Sequence, residues 1–347
     1  MAGALIEREI WHPVATAQAV ADRPVAARLL ETDLVLWRNR AQAVQAWADQ
    51  CPHRGARLSL GRITGDQLEC PYHGWRFDSS AQLALIPALP AFMPPASHRA
   101  QAFQVREQNG LIWVRLSPGD NASDSTSIGA SLQRFRSEPP HFPAEAESRL
   151  RKLTVGPYEV ATSAPRIVEN FLDLAHFGFV HENWLGTREA TAIPDYRIES
   201  TSTGFIASAC RAWQPQSSIH AKSGAMVEYT YEVNAPFTAI LTKVPDQGTV
   251  EISDFRESIA LFVCPIEPDF SRAWFRLAMN DFNSPDSVLQ AFQETIFGQD
   301  KPILESQRPK LLPLDPKAEL HAAADKSSAA YRRALREWGI GFGVSYG

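Results

Sequence analysis

Short runs of β-branched and aromatic residues, each closed by Gly, Pro, Asn or Asp, punctuate the first third of the chain at 34–38, 67–70, 74–77 and 111–116. This pattern predicts a small antiparallel β domain. Residues 117–131 read SPGDNASDSTSIGAS, a stretch too small and polar to bury surface of its own. The domain boundary is placed there, with residues 1–118 before it and 119–347 after it. Further on, apolar runs at 205–213, 227–233, 258–264 and 273–279 predict more strands, and helical patterns lie near 166–180, 285–305 and 322–338. Strands in hairpin-like succession with helices set apart point to an α+β fold rather than a doubly wound parallel sheet.

Composition narrows the class. At 347 residues the chain has room for about two domains, each able to bury a core. With 44% hydrophobic and 21% charged residues, it is neither disordered, collagen-like nor a coiled coil. A net charge of −5 with 34 Lys and Arg offers no broad basic face, which argues against a nucleic-acid partner. No apolar run approaches the ~20 residues of a spanning helix, and Glu7, Arg8 and Glu9 interrupt the N-terminus before any secretory apolar region. The expectation is a cytoplasmic protein without a membrane partner. Four cysteines cannot form a disulfide framework, so each is a core thiol, a nucleophile or a metal ligand.

Two of them recur with histidines. Cys51-Pro-His53 is followed, after sixteen residues, by Cys70-Pro-Tyr-His73. A zinc site with two Cys and two His is one reading, but common zinc spacings keep the ligands of each loop alike. Here each loop offers one thiolate and one imidazole, the donor set of a Rieske [2Fe-2S] cluster, in which two Cys hold one iron and two His the other. Neutral imidazoles in place of thiolates raise the potential above that of an all-cysteine ferredoxin. Pro52 and Pro71 stiffen the two loops, while Gly55 and Gly74 allow backbone angles that bring N–H groups inward. Trp75 reads as a cover that keeps water from the cluster.

A second constellation, Asp173-x2-His176-x4-His181, places Asp173 and His176 on one face of a helix, with Gly178 marking an end or distortion before His181. Asp173 can hold His176 in one tautomer, freeing its other nitrogen for a metal. Two His and one carboxylate make the facial triad that leaves Fe(II) positions open for oxygen. The carboxylate is open among Glu294, Asp300 and Glu305; Pro302 lacks a donor N–H and predicts a kink beside Asp300.

The strings CPHRGARLSLG, CPYHGWRFD and NGLIWVRL resemble the Rieske domain of Rieske non-haem iron oxygenase α subunits, and the likeness continues to the C-terminus. It implies an N-terminal all-β Rieske domain followed by a catalytic domain of antiparallel sheet and helices in a helix-grip, START-like arrangement. It further implies that Cys51, His53, Cys70 and His73 ligate the cluster, the histidines through Nδ1. The segment QDKPILESQ is similar to the family's C-terminal helix and implies Asp300 as the third iron ligand with His176 and His181; Glu305 is the fallback. By the same likeness Asp173 is the bridge that carries electrons from a neighbouring subunit's cluster to the mononuclear Fe(II), and the assembly is a homotrimer closed by head-to-tail contacts.

Electrons must come from elsewhere. Once the ligands are assigned, Cys210 and Cys264 remain, too few for a plant-type cluster, and the chain has no G-x-G-x-x-G. The reading therefore requires a separate NAD(P)H-dependent reductase, acting directly or through a ferredoxin. WHPVA, LVLWR, MPPAS, HENWLG, DKPILESQ and AYRRALREWG are similar to saxitoxin-pathway hydroxylases and methylxanthine N-demethylases. The implied reaction is O2-dependent hydroxylation of a C–H bond or N-methyl group on a small nitrogen-containing ring; alternatives are ring dihydroxylation, O-demethylation or electron transfer alone. Phe171, Phe177, Trp184, Phe237 and Trp274 are candidate pocket walls, but core is the favoured reading for each, and none is assigned to the site. His12, His98, His141, His220 and His321 read as surface or hydrogen-bonded residues, Cys210 and Cys264 as inert core thiols, and Tyr331–Glu337 as a solvated face or subunit contact.

Overall fold

The computed structural model describes residues 5–117 and 130–347, which divide into two compact units between 139 and 140. Most of the polar stretch 117–131 lies outside the described residues. The first unit runs past the expected boundary because helix α1 (Ala130–Ser137) belongs to it: the Trp11 indole donates to the Arg136 carbonyl at 2.9 Å, and Arg136 pairs with Glu9 at 2.9 Å.

The sheets of the first unit are antiparallel throughout. Strands β1 (His12–Thr16), β2 (Val25–Leu29), β3 (Thr32–Arg38) and β4 (Val44–Ala48) precede β5 (Arg62–Thr64), β6 (Gln67–Glu69), β7 (Arg76–Asp78) and β8 (Leu83–Leu85). Strands β9 (Gln104–Gln108) and β10 (Leu111–Arg115) close the set. They form sheets of order β1-β10-β9, β2-β3-β4 and β5-β6-β7-β8. Trp37 and Trp47 meet edge to face at 5.1 Å, and with Leu58, Leu68 and Phe77 they make the fully buried floor on which Cys51 and Cys70 sit. Aromatic pairs of this kind add to the stabilisation from area burial alone.

The second unit is built on one seven-stranded antiparallel sheet. Its strands are β11 (Arg151–Val160), β12 (Arg197–Ser200), β13 (Phe205–Gln214), β14 (Ala225–Ala235), β15 (Thr238–Pro245), β16 (Glu257–Glu267) and β17 (Phe270–Met279), in the order β11-β17-β16-β15-β14-β13-β12. Helices α2 (Ala164–Phe171), α3 (Phe177–Val180), α4 (Asp286–Ser306) and α5 (Lys326–Glu337) belong to the unit, as does a short parallel pairing of Leu312–Pro313 with Val344–Ser345. Cys210 and Cys264 are buried in strands, and burial pushes both thiols up to about 12, as inert core thiols require. No described helix is long and apolar enough to cross a membrane.

Two expectations need correction. The single helix expected over 166–180 is two short helices, because the Asp173 carboxylate accepts the N–H of Ala175 at 2.9 Å and of His176 at 3.3 Å and diverts the backbone into a turn. Asp173 and His176 thus meet across that turn, not along a helix face. In 331–337, Tyr331 and Arg332 are buried rather than solvated. Arg332 bonds Glu169 and Glu319, and Arg166 bonds Glu319 at 2.6 Å, so two guanidiniums and two carboxylates tie α2 to α5.

Candidate metal centres and the cavity beside one of them

The two Cys-His loops share one backbone plan. Cys51 follows β4, and the Cys70–Trp75 loop joins β6 to β7. In the first loop Gly55 N–H donates to the Cys51 carbonyl at 2.9 Å and Cys51 N–H to Ala56 at 2.8 Å; in the second, Gly74 donates to Cys70 at 3.1 Å and Cys70 to Trp75 at 2.8 Å. Gly55 and Gly74 stand at φ +72° and +68°, left-handed angles at which a side chain is strained. Both cysteines are 2% exposed, and the His53 and His73 rings lie 4.7 Å apart. Trp75 stacks on His53 at 4.2 Å with planes 4° apart, and Tyr72 leans on His73 at 3.9 Å.

This arrangement fits a two-iron cluster. Burial, and then the adjacent Cys70, push the Cys51 thiol up to about 11, so two thiolates side by side need a cation between them. Two imidazoles facing each other from the opposite loop tips supply the other half of the donor set.

In the second unit, His176 precedes α3 and His181 ends it, while Asp300 projects from α4. Their ligand atoms lie within 4.8 Å of one another. His176 Nε2 stands 3.2 Å from His181 Nε2, and Asp300 Oδ1 lies 3.5 Å and 3.2 Å from them. On the far side of each ring the Nδ1 position is matched to an acceptor: Asp173 Oδ2 at 3.0 Å for His176, and Gln299 Oε1 at 2.8 Å for His181. Those bonds place the protons on Nδ1 and leave two Nε2 lone pairs and a carboxylate oxygen converging with no hydrogen between them, which a cation satisfies. Hydrogen bonds and charge from His176 lower the Asp173 carboxyl below its usual range, although burial alone raises it. Asn170 Nδ2 donates to Asp300 Oδ1 at 3.3 Å.

The periodicity of α4 explains why Asp300 joins. Leu289, Gln293, Phe297, Asp300 and Leu304 are its buried positions, spaced by three and four, so Asp300 is the acidic residue on the inward stripe. Glu294 is exposed, and Glu305 instead accepts the Ala161 N–H at 3.0 Å.

A cavity of about 100 Å³ opens beside the triad. Of the five aromatics for which core is the favoured reading, Phe171 and Phe177 line it; Trp184, Phe237 and Trp274 do not. Residues outside the expected set line it too: Gln293, His220, Asp281, Lys243 and Glu257. His220, expected as surface or hydrogen-bonded, donates from Nε2 to Asp281 Oδ2 at 2.6 Å inside this cavity. A readable signal existed for one of them: Lys243 stands in phase with Leu241 on the inward row of β15, where a charge is costly unless paired. Gln299 carried no signal beyond adjacency to Asp300.

Comparisons with known proteins agree with this geometry. Residues 10–104 match the Rieske [2Fe-2S] domain, and residues 160–339 match the vanillate O-demethylase oxygenase C-terminal domain. The chain is 32% identical over 344 residues to methylxanthine N1-demethylase NdmA of Pseudomonas putida, covering 95% of this chain and 88% of that protein. It is 38% identical over 242 residues to a probable methylxanthine N7-demethylase, NdmC, of Pseudomonas sp. strain TJI-51, covering 69% and 78%. The structure of Pseudomonas putida CBB5 NdmA with caffeine superposes with a TM-score of 0.79 at 30% identity, covering 96% of this chain and 91% of that one. Two ligand sets of the required chemistry, on matching domains across nearly the whole chain, make it a member of the Rieske non-haem iron oxygenase family, with a [2Fe-2S] cluster in its first domain and a mononuclear iron centre in its second.

Proposed function

We propose that the chain is the oxygenase component of a hydroxylating system that attacks an N-methyl group, or an equivalent C–H bond, of a small nitrogen-containing ring. When bound, the cluster supplies single electrons and the mononuclear iron activates O2. Cys51, His53, Cys70 and His73 hold the cluster; His176, His181 and Asp300 hold the iron. Asp173 and Gln299 orient the two histidines, and the apolar cavity holds the ring beside the iron while excluding water. Asp173 is also the link through which a neighbouring subunit's electrons reach the iron, which calls for a head-to-tail homotrimer. Electrons come from a separate NAD(P)H-dependent reductase, and the location that suits this supply is the cytoplasm.

The net reaction balances with what that system provides. An N–CH3 group, O2, two electrons and two protons give N–CH2OH and water. The C–N bond of the carbinol then breaks, nitrogen keeps the electron pair and takes the hydroxyl proton, and formaldehyde leaves. The relatives that act on methylxanthines support this over ring dihydroxylation.

The observation that carries the reading is the convergence of His176, His181 and Asp300 within 4.8 Å at the wall of an apolar cavity. The test is to assay iron, acid-labile sulfide and formaldehyde in wild type and His181→Ala with a surrogate reductase. About three iron and two sulfide per chain are expected in wild type by the ligand arithmetic. The variant keeps the cluster's visible spectrum and loses product. Retained turnover in His181→Ala, or cis-diols as the only products, overturns the reading.

A further inference from the structure

Part of the polar lining of the cavity is one cross-strand row. Tyr229 on β14 faces Lys243 on β15, Lys243 faces Glu257 on β16, and Glu257 faces Met279 on β17. The next row, two residues on, is Tyr231, Leu241, Ile259 and Leu277, almost entirely apolar, and rows in a sheet lie about 7 Å apart. A ring resting on the apolar row therefore presents one edge to Lys243 and Glu257.

Those two side chains are 6% and 12% exposed, with Nζ and Oε2 2.6 Å apart. Lys243 carries three donors and a carboxylate has about four acceptor sites. Among the described residues their ion pair uses one of each, so further donors and acceptors remain side by side at the cavity wall. Holding two charges in an apolar cavity costs more than filling it with apolar side chains of similar volume. Stability is therefore a poor reason for the pair, and recognition is a better one.

Resting on the oxygenase reading above, we propose that Lys243 and Glu257 are the specificity-determining pair of this site and read an uncharged amide edge, a ring C=O beside a ring N–H. The carbonyl accepts from Lys243 Nζ and the N–H donates to Glu257. A carboxylate substrate is rejected: Lys243 is already neutralised by Glu257, and Asp281 adds a further buried negative charge to the same cavity. Size agrees, since about 10–15 Å³ of cavity holds one water. A cavity of about 100 Å³ suits a compact ring of on the order of ten non-hydrogen atoms.

The test is isothermal titration calorimetry on the holoenzyme with three probes built on one ring: 1-methyluracil, which has the C=O and N–H edge; 1,3-dimethyluracil, in which that N–H is methylated; and 1-methylorotate, which adds a carboxylate. Wild type is expected to bind 1-methyluracil at least about tenfold tighter than either of the others: against 1,3-dimethyluracil through the cost of leaving buried polar groups unmatched, and against 1-methylorotate through repulsion between its carboxylate and the buried acidic groups. In Lys243→Met/Glu257→Met the preference over 1,3-dimethyluracil falls to within about threefold. Glu257→Gln, which alters little in shape, keeps the test valid if the double variant does not fold: freeing Lys243 of its counter-charge is expected to tighten 1-methylorotate about tenfold.

Equal affinities in wild type, or variants whose preferences match wild type, overturn the proposal. Formaldehyde assayed on the same samples separates the two readings. Variant-sensitive binding without product leaves the recognition pair standing and removes the demethylation reading. Product with variant-insensitive preferences does the reverse.

Discussion

Replacing Gln299 by Leu removes the acceptor that His181 Nδ1 meets at 2.8 Å. His181 is 1% exposed, so its Nδ1–H has no water to turn to, and leaving it unmatched costs about 1–3 kcal/mol. The ring escapes that cost only by moving the proton to Nε2. That atom lies 3.2 Å from both His176 Nε2 and Asp300 Oδ1, and a proton there occupies the lone pair a metal needs. Either outcome weakens the ligand. Loss of such an outer partner typically lowers metal affinity about 10- to 100-fold, or about 1.4–2.8 kcal/mol. The assay is iron per chain after dialysis against graded chelator, with the cluster's visible absorbance read on the same sample. Gln299→Leu is expected to lose mononuclear iron at about 10- to 100-fold lower chelator while absorbance is unchanged, and Gln299→Glu, which keeps an acceptor at that place, is expected to retain it. A Gln299→Leu protein that holds iron as wild type does at every chelator concentration refutes the reasoning.

Two further outcomes concern stability. Hydrogen bonds and charge from Arg166 and Arg332 hold the Glu319 carboxyl down at about 2, against burial, which alone raises it. A carboxyl whose folded value is depressed contributes stability that is complete above its unfolded value of 4.5 and drains away as pH falls from there toward 2. Allowing for a side chain that is 28% exposed, the contribution is roughly 2 kcal/mol, and Glu319→Gln should flatten the acid limb of a pH-stability curve measured by urea unfolding; an unchanged slope between pH 5 and 2 counts against the pairing. Gly74→Ala places a side chain at φ +68° with its Cβ 3.1 Å from Pro87 Cγ. The left-handed angle alone costs about 1–2 kcal/mol, so the variant should purify with less labile sulfide per chain while its second unit keeps mononuclear iron; full sulfide would show that the loop tolerates a side chain there.

Several features were legible in the linear chain because they are local. The Cys51/His53 and Cys70/His73 spacings lie within single loops, where ligand type and glycine placement are set by a few consecutive residues. The strands at 205–213 and 227–233 and the helix at 285–305 follow from periodicity, since burial on one face repeats every two or 3.6 residues. Asp300 stands apart: spacing left Glu294, Asp300 and Glu305 open, the family resemblance singled it out, and the packing of α4 is what puts it on the inward stripe.

Tertiary structure alone decided the rest. The break between α2 and α3 depends on Asp173 capturing two backbone N–H groups, an alternative to helix that periodicity does not register. Gln299 and His181 meet across 118 positions, Lys243 and Glu257 across a hairpin, and His220 finds Asp281 61 residues away. Apart from Lys243, a charge in phase with the inward row of its strand, each of these side chains has an innocuous reading in isolation. Its role arises when strand register and helix packing bring a distant partner within 3 Å, and a hydrogen bond or ion pair is decided at that distance rather than by residue type. Short-range spacing thus marked the two Cys-His loops and the His176/His181 pair, while the triad's carboxylate and the shape and chemistry of the cavity waited on long-range packing.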